Sequence, residues 1–472
     1  MSDKLGDIPP AQFRKHLHEI ADWIADYREN IASFRISPDE KPGAIRVKLP
    51  AQAPEQGEPL DQIIADIDRV VLPGITHWAH PDFMGYFGAT TTAPGILAEM
   101  FVAALNVNAM TWRTSPVATE LETVVLDWLR QWLQLPDEFS GVVYDTASIG
   151  SMHALATARE EAASQIRQRG LSGRHDVPMF RIYTSDQAHS SIDKAAIALG
   201  IGEKNVVRIP SDENFRMDAA ALREAITRDI DTGLKPLAVV ATVGTTSTAS
   251  VDPVREIASI CREHKSWLHI DAAYGGGLCV VPDMRWVIDG FDLADSVVVN
   301  PHKMLFVPFD FSATYIRNIA RLRNVFTLVP EYLRGDAKDA EINYMDYGVQ
   351  LGRRFRALKA WMVWRTFGRE GLAARIRDHL RLAQLFTKWV AADERFELSA
   401  PTVMGVVCFR AKGSDEMNAR IVETINASGK SYFMQTKLRG RTVIRLGLGN
   451  ILTEEENVRR AWDIVQATRD AV

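Results

Sequence analysis

The chain has 472 residues, room for roughly three domains, and its 46% hydrophobic and 24% charged content is that of an ordinary globular protein. A net charge of −5, with both signs mixed along the chain, leaves no basic footprint for nucleic acid and no polybasic membrane patch. Three scattered cysteines (Cys261, Cys279, Cys408) make neither a disulfide framework nor a zinc pattern, no signal-like apolar stretch follows Met1, and no apolar run approaches the roughly 20 residues of a membrane span; a cytoplasmic location is expected.

After Pro9-Pro10, an apolar stripe of Phe13, Leu17, Ile20, Ile24, Tyr27 and Ile31 at spacings of four and three predicts a helix with proline at its start. A Pro- and Gly-bearing segment follows, then a second helix from about Leu60 to Val71, stopped by Pro73-Gly74. Residues 1–90 hold too little apolar surface for a core of their own, so they are expected to pack on another domain or subunit. From 91 to 360 the pattern alternates. Helices are predicted over Ile96–Leu105, Glu120–Leu135, Met152–Arg169, Ala219–Arg228 and Pro253–His264. Strands are predicted over Gly141–Tyr144, Phe180–Tyr183, Val206–Ile209, Leu237–Val243, Trp267–Ile270 and Val297–Val299. Such alternation predicts an α/β fold whose mostly parallel sheet is covered on both faces. Residues 361–472 read as a small α+β domain: a long helix, strands at Val406–Phe409 and Val443–Leu448, and a last helix from Glu454.

Chemistry concentrates at two strand ends. Asp271 follows the strand ending at Ile270, and Lys303 follows the one ending at Val299 by way of Asn300-Pro301-His302. Carboxyl ends of strands are where open α/β sheets bind ligands. A lysine there forms Schiff bases, and an aspartate pairs with a pyridinium nitrogen, so the pair points to pyridoxal phosphate (PLP). A carboxylate about 3 Å from a pyridinium gains about 5 kcal/mol at an effective dielectric near 20, enough to hold the ring nitrogen protonated at neutral pH. Alone, Asp271 reads equally as a cap, and Lys303 as a surface lysine whose stem covers apolar residues. His189, at the same sheet edge, has the shape to stack on a planar ring. Thr245-Thr246 bring hydroxyls there, and Thr146-Ala147-Ser148 opens a helix whose free N–H groups favour phosphate. Gly275-Gly276-Gly277 lacks dinucleotide spacing and reads as a close-packed turn, and His77 and His80 are a weak metal signal.

Taken in order, these segments resemble the PLP-dependent group II amino-acid decarboxylases, most closely the aromatic-L-amino-acid decarboxylases. The resemblance is carried by Pro73-Gly74-Ile75-Thr76-His77-Trp78, Ser115-Pro116 with Glu120-Leu121-Glu122, and the segment around His189. Gly244-Thr245-Thr246, Trp267 to Tyr274, Ala294-Asp295-Ser296, Asn300-Pro301-His302-Lys303 and Leu351 to Arg356 complete it. It implies a type I PLP fold like that of aspartate aminotransferase, and a homodimer clasped by the N-terminal unit. It implies that Lys303 holds PLP, Asp271 pairs with the ring nitrogen and His189 stacks on the ring. Ala147, Ser148, Ser296, Asn300 and His302 would form the phosphate side, and Thr246 and Ala273 would touch the ring and its substituents. Tyr332 would return the proton to Cα after carbon dioxide leaves.

The resemblance also implies a substrate pocket from Trp78, Tyr86, Phe87, Gly88 and Ala89, with Asn108 and Met110 contributed by a partner subunit, and with Gly352. Gly88-Ala89 stands where animal members read Pro-Thr, which removes a partner for a ring hydroxyl. Phe311 replaces a small residue. Gly352 matches indole-preferring plant members, so tryptophan-like substrates are favoured, with tyrosine, DOPA and phenylalanine behind. Keeping both Tyr332 and His189 favours a decarboxylase over an aromatic-acetaldehyde synthase. A decarboxylase of another amino acid and a non-catalytic PLP-binding paralogue are the remaining alternatives.

Overall fold

The computed structural model describes residues 7–163, 165–328 and 341–472. Seven strands form the main sheet: Ser140–Tyr144 (β1), Phe180–Ser185 (β2), Val206–Ile209 (β3), Lys235–Thr242 (β4), Trp267–Asp271 (β5), Ser296–Val299 (β6) and Ser312–Ile316 (β7). Their order is β1-β7-β6-β5-β4-β2-β3. β7 runs antiparallel to both β1 and β6, and the other pairings are parallel. β4 and β5 show why a continuous apolar run signals a strand covered on both faces. Val239, Val240 and Ile270 are fully buried, each worth about 1.5–3 kcal/mol. β7 escaped the sequence reading because Ser312-Ala313-Thr314 carries no apolar run.

Helices cover the sheet and precede it: Pro10–Glu29 (α1), Leu60–Asp66 (α2), Ala93–Leu105 (α3), Pro116–Trp132 (α4) and Ala147–Ala162 (α5). Pro10 sits in the first turn of α1, where its missing N–H costs nothing. Ser115 caps α4 by accepting a hydrogen bond from Ala118 N–H at 3.3 Å. The helix expected over Met152–Arg169 is instead α5 and a separate turn, Ile166–Arg169. In α1, Phe13, Leu17 and Ile20 stay exposed, as do Leu97, Phe101 and Leu105 of α3.

A second sheet is antiparallel throughout. Its strands are Phe396–Leu398 (β8), Val406–Ala411 (β9), Met434–Leu438 (β10) and Arg441–Gly447 (β11), in the order β10-β11-β9-β8. Phe386, Phe409, Ile444 and Trp462 form its core. The boundary read at 361 falls inside one helix, Ala357–Ala392, which runs from the first core into the second with a break at Gly368 (φ +61°). Its apolar period continues while its partners change, so the pattern carries no mark of a boundary. The N-terminal segment is stitched to this second layer. Met84 N–H donates to Tyr432 O at 3.1 Å, and Gly447 N–H to Met84 O at 2.9 Å. Among the described residues no helix is long and apolar enough to cross a membrane.

Candidate active site

A cavity of about 850 Å³ opens at the carboxyl ends of β4, β5 and β6, beneath the edge strand β10 of the second sheet. Asp271 ends β5. Its Oδ1 accepts the Ala273 N–H at 3.1 Å, and Oδ2 has no protein donor among the described residues. Lys303 lies one short turn beyond β6, where Asn300 O accepts the Lys303 N–H at 2.9 Å. Its ammonium sits 4.7 Å from the centre of the Phe87 ring. Burial pushes the Lys303 pKa down to about 8; Asp271 opposes that shift and Arg445 adds to it. The amine is therefore largely available as a nucleophile in mildly alkaline conditions.

His189 lines the same cavity. Its Nδ1 accepts the Ser191 N–H at 3.1 Å, so the neutral ring carries its proton on Nε2. Burial lowers its pKa; Asp271 works against that and Lys303 with it. His302 Nδ1 accepts the Phe311 N–H at 3.0 Å, and burial takes its pKa down to about 3, with Lys303 adding to the effect. Both histidines are thus neutral donors at physiological pH.

The donor set fits PLP. Ala147 and Ser148 open α5 at the cavity, and the N-cap Thr146 makes no side-chain cap. Their N–H groups stay available to an anion. Thr242 Oγ1, which can donate, is buried without a partner among the described residues and faces the cavity; Asn300 faces it too, with its acceptor Oδ1 unpaired. Lys303 and Arg445 against Asp271 give this space an excess positive charge, as a phosphate requires. Thr246 and Ala273 line the cavity.

Other expected residues lie elsewhere. Ser296 starts β6 and is fully buried. Three residues at about 3.3 Å each separate it from the strand's carboxyl end, so its hydroxyl does not reach the cavity. Trp78, Tyr86, Phe87 and Ala89 are in the wall. Gly88 is not: a Cβ there would lie 2.7 Å from the Gly449 backbone carbon, so it serves a close chain crossing. Asn108, Met110 and Gly352 gather at a different place. Asn108 Oδ1 accepts the Arg353 N–H at 2.9 Å, and a Cβ on Gly352 would meet only Asn108 Nδ2, at 3.9 Å. The Phe311 side chain is in the core, where it packs on Trp364. Tyr332 lies outside the described residues. His77 pairs with the Tyr27 hydroxyl at 2.8 Å, and His80 Nδ1 accepts the Asp82 N–H at 3.0 Å, which are structural uses. Gly275–Gly277 form the close-packed turn expected, since a Cβ on any of them would lie 2.6–2.7 Å from a neighbour.

Arg445 is the residue that the pattern hid. It lies in β11 with 4% of its surface exposed, 4.7 Å above the Phe87 ring. Nε donates to Ser247 O at 3.1 Å and Nη1 to Tyr86 O at 2.6 Å, while Nη2 is buried without a partner among the described residues. An arginine amid Val443, Ile444 and Leu446 was the available signal. Phe309, Tyr274 and Met434–Thr436 also join the wall.

Residues 42–412 match the family described as "Pyridoxal-dependent decarboxylase conserved domain". The chain belongs to that family. It is 40% identical to the aromatic-L-amino-acid decarboxylase of Cavia porcellus over 98% of both chains. It is 37% identical to the phenylacetaldehyde synthase of Arabidopsis thaliana, over 96% of this chain and 95% of that one. The structure of Oryza sativa TDC with PLP and tryptamine superposes with a TM-score of 0.95 at 36% identity, covering 99% of each chain. The fold is therefore type I, the cofactor is PLP, and the protein is a PLP-dependent decarboxylase within the aromatic amino-acid group.

Proposed function

We propose that this decarboxylase converts aromatic L-amino acids, tryptophan-like ones foremost, to arylalkylamines and carbon dioxide. The observation that carries this is the cavity wall. Trp78 stacks on Tyr86 with centroids 5.0 Å apart, and Phe87 stacks on Tyr274 at 3.9 Å. Facing planar rings suit an aromatic side chain, and about 850 Å³ admits an indole beside the cofactor.

PLP, when bound, accepts the electron pair that the departing carbon dioxide leaves at Cα. The chain's residues serve that event in separate ways. The Asp271 carboxylate would hold a proton on the ring nitrogen, which would keep the ring electron-poor. His189, neutral with its proton on Nε2, would cover one face. The first turn of α5, with Asn300, would hold the phosphate. Lys303 would hold the cofactor through Nζ between turnovers; once the substrate's amino group has taken that place, its free amine would carry the proton that the substrate nitrogen gives up. Arg445 Nη2 supplies an unused donor and an uncompensated charge for the substrate carboxylate, which orients the breaking bond. Tyr332 returns the proton to Cα.

The exposed apolar rows on α1 and α3 support a homodimer. A second copy would cover them and would bring Asn108, exposed in one chain, and the half-buried Met110 toward the neighbouring cavity. The properties of the chain fit a cytoplasmic enzyme. The deciding experiment supplies PLP with L-tryptophan, L-tyrosine, L-DOPA, L-phenylalanine and L-glutamate, and measures amine and carbon dioxide. Amine from the indole substrate at the highest kcat/KM is expected. No amine from any aromatic acid refutes the reading, and peroxide with ammonia as main products makes the enzyme an aldehyde synthase. Sedimentation at several concentrations tests the dimer.

A further inference from the structure

Ser296, displaced from the cavity, belongs to a buried chain of hydrogen bonds. Trp267 Nε1 donates to Ser296 Oγ at 2.8 Å; His269 Nδ1 lies 2.8 Å from that oxygen; His269 Nε2 lies 2.9 Å from Ser151 Oγ. Trp267 is 7% exposed and the other three are fully buried. An indole N–H only donates, so Ser296 accepts from it. Burial takes the His269 pKa down to about 4, so the ring is neutral across the neutral range and bridges the two serines with one donor and one acceptor nitrogen.

The chain ties together two elements that hold opposite ends of one rigid cofactor. His269 precedes Asp271 by two residues, so both side chains stand on one face of β5. Ser151 lies one turn past Ala147 and Ser148, at the anion-receiving end of α5. The helix sits close to the sheet because Gly150 lets it: a Cβ there would lie 2.1 Å from Thr314 Oγ1 and 3.1 Å from Val298 Cγ2. Covalent structure fixes the span from phosphate to ring nitrogen, so both ends are held well only when α5 stands at the matching height on β5.

We propose that His269 is a positioning residue that registers α5 against β5 and thereby sets the span between the phosphate site and Asp271. This rests on PLP occupying the cavity as described above. Binding of PLP and of pyridoxal, which lacks the phosphate, is followed by cofactor absorbance on the cofactor-free full-length protein. Ser151→Ala removes the helix end of the chain and keeps a good helix former. His269→Asn keeps an atom near Nδ1 and loses the reach to Ser151; His269→Gln keeps that reach. Ser151→Ala and His269→Asn are expected to weaken PLP roughly tenfold, the scale of one buried hydrogen bond. They leave pyridoxal within about twofold, and His269→Gln retains more PLP affinity than His269→Asn. Equal loss for both ligands, no loss, or the reverse order of Asn and Gln overturns the proposal. If the histidine variants do not fold, Ser151→Ala decides alone. If the unaltered protein shows no cofactor absorbance with PLP, the occupancy reading falls and takes this inference with it; a flat variant series on a protein that does bind overturns only the registering role.

Discussion

Arg353 and Arg445 are both buried, at 7% and 4% exposure, and they differ in what surrounds the charge. Arg353 faces Glu122 with two hydrogen bonds, of 2.7 and 3.1 Å, and also donates to Val143 O at 2.8 Å and Ala109 O at 3.3 Å. Glu122 in turn accepts the Val143 N–H at 3.0 Å. That pair pins α4, β1 and the Asn108–Met110 segment to one another. Arg445 touches carbonyls, an aromatic face and a cavity; among the described residues no carboxylate is in hydrogen-bonding contact with it, and its Nη2 is unpaired. A buried charge with its partner built in is structure; one without a partner among the described residues is a place for a ligand.

The comparison breaks if the two respond alike to removal. Arg353→Leu strands Glu122 and is expected to lower stability by about 3–5 kcal/mol in denaturant titration. Arg353→Leu with Glu122→Leu recovers part of that. Arg445→Leu should do the opposite: kcat/KM falls by about 100-fold, close to 2.7 kcal/mol, while the cofactor-free protein unfolds no more easily than before. A loss of stability matching that of Arg353→Leu would make Arg445 structural.

Electrostatics at Lys303 sharpens the contrast. Its amine is protonated below its pKa of about 8, so the rate of PLP capture by the cofactor-free protein should rise with pH and level off above that midpoint. Arg445 helps to lower this pKa and Asp271 to raise it. Arg445→Leu should therefore move the midpoint up, Asp271→Asn should move it down, and Arg353→Leu should leave it in place. Stopped-flow absorbance across pH 6.5 to 9.5, roughly centred on that value, reads all three.

The smallest effect concerns acid stability. Burial holds His153 and His269 near pKa 4 and His302 near 3, whereas an unfolded histidine titrates near 6.5, roughly. The unfolded state then binds more protons as pH falls below about 6.5, so stability declines from there downward. Thermal unfolding temperatures that stay flat from pH 7 to 5, roughly, would contradict neutral buried rings.

Much of the catalytic edge was legible from the chain. Asp271 and Lys303 follow apolar runs that read as covered strands, and a parallel sheet sends the ends of such strands to one edge. His189, Thr246 and the start of α5 follow other strands of the same sheet, so they arrive there too. Legibility failed where register or a distant element decides. Ser296 belongs to the right strand and the wrong end of it, and a run of four residues does not announce where the cavity lies. Arg445 comes from the second sheet, whose approach to the first depends on the helix Ala357–Ala392 and on the Met84 segment. The resemblance placed Gly88 in the pocket and noted Phe311 as a larger residue in place of a small one; packing against Gly449 and Trp364 claims them instead.

The sequence by itself determined the fold class and brought a carboxylate and a lysine to one sheet edge, because local periodicity and strand ends are properties of short segments; the family came from the resemblance that its ordered motifs carry. The tertiary structure alone decided which polar groups keep free valences toward the cavity. Hydrogen-bond satisfaction is a property of what surrounds an atom, and the surroundings of Arg445, Ser296 and His269 come from segments tens to hundreds of residues away.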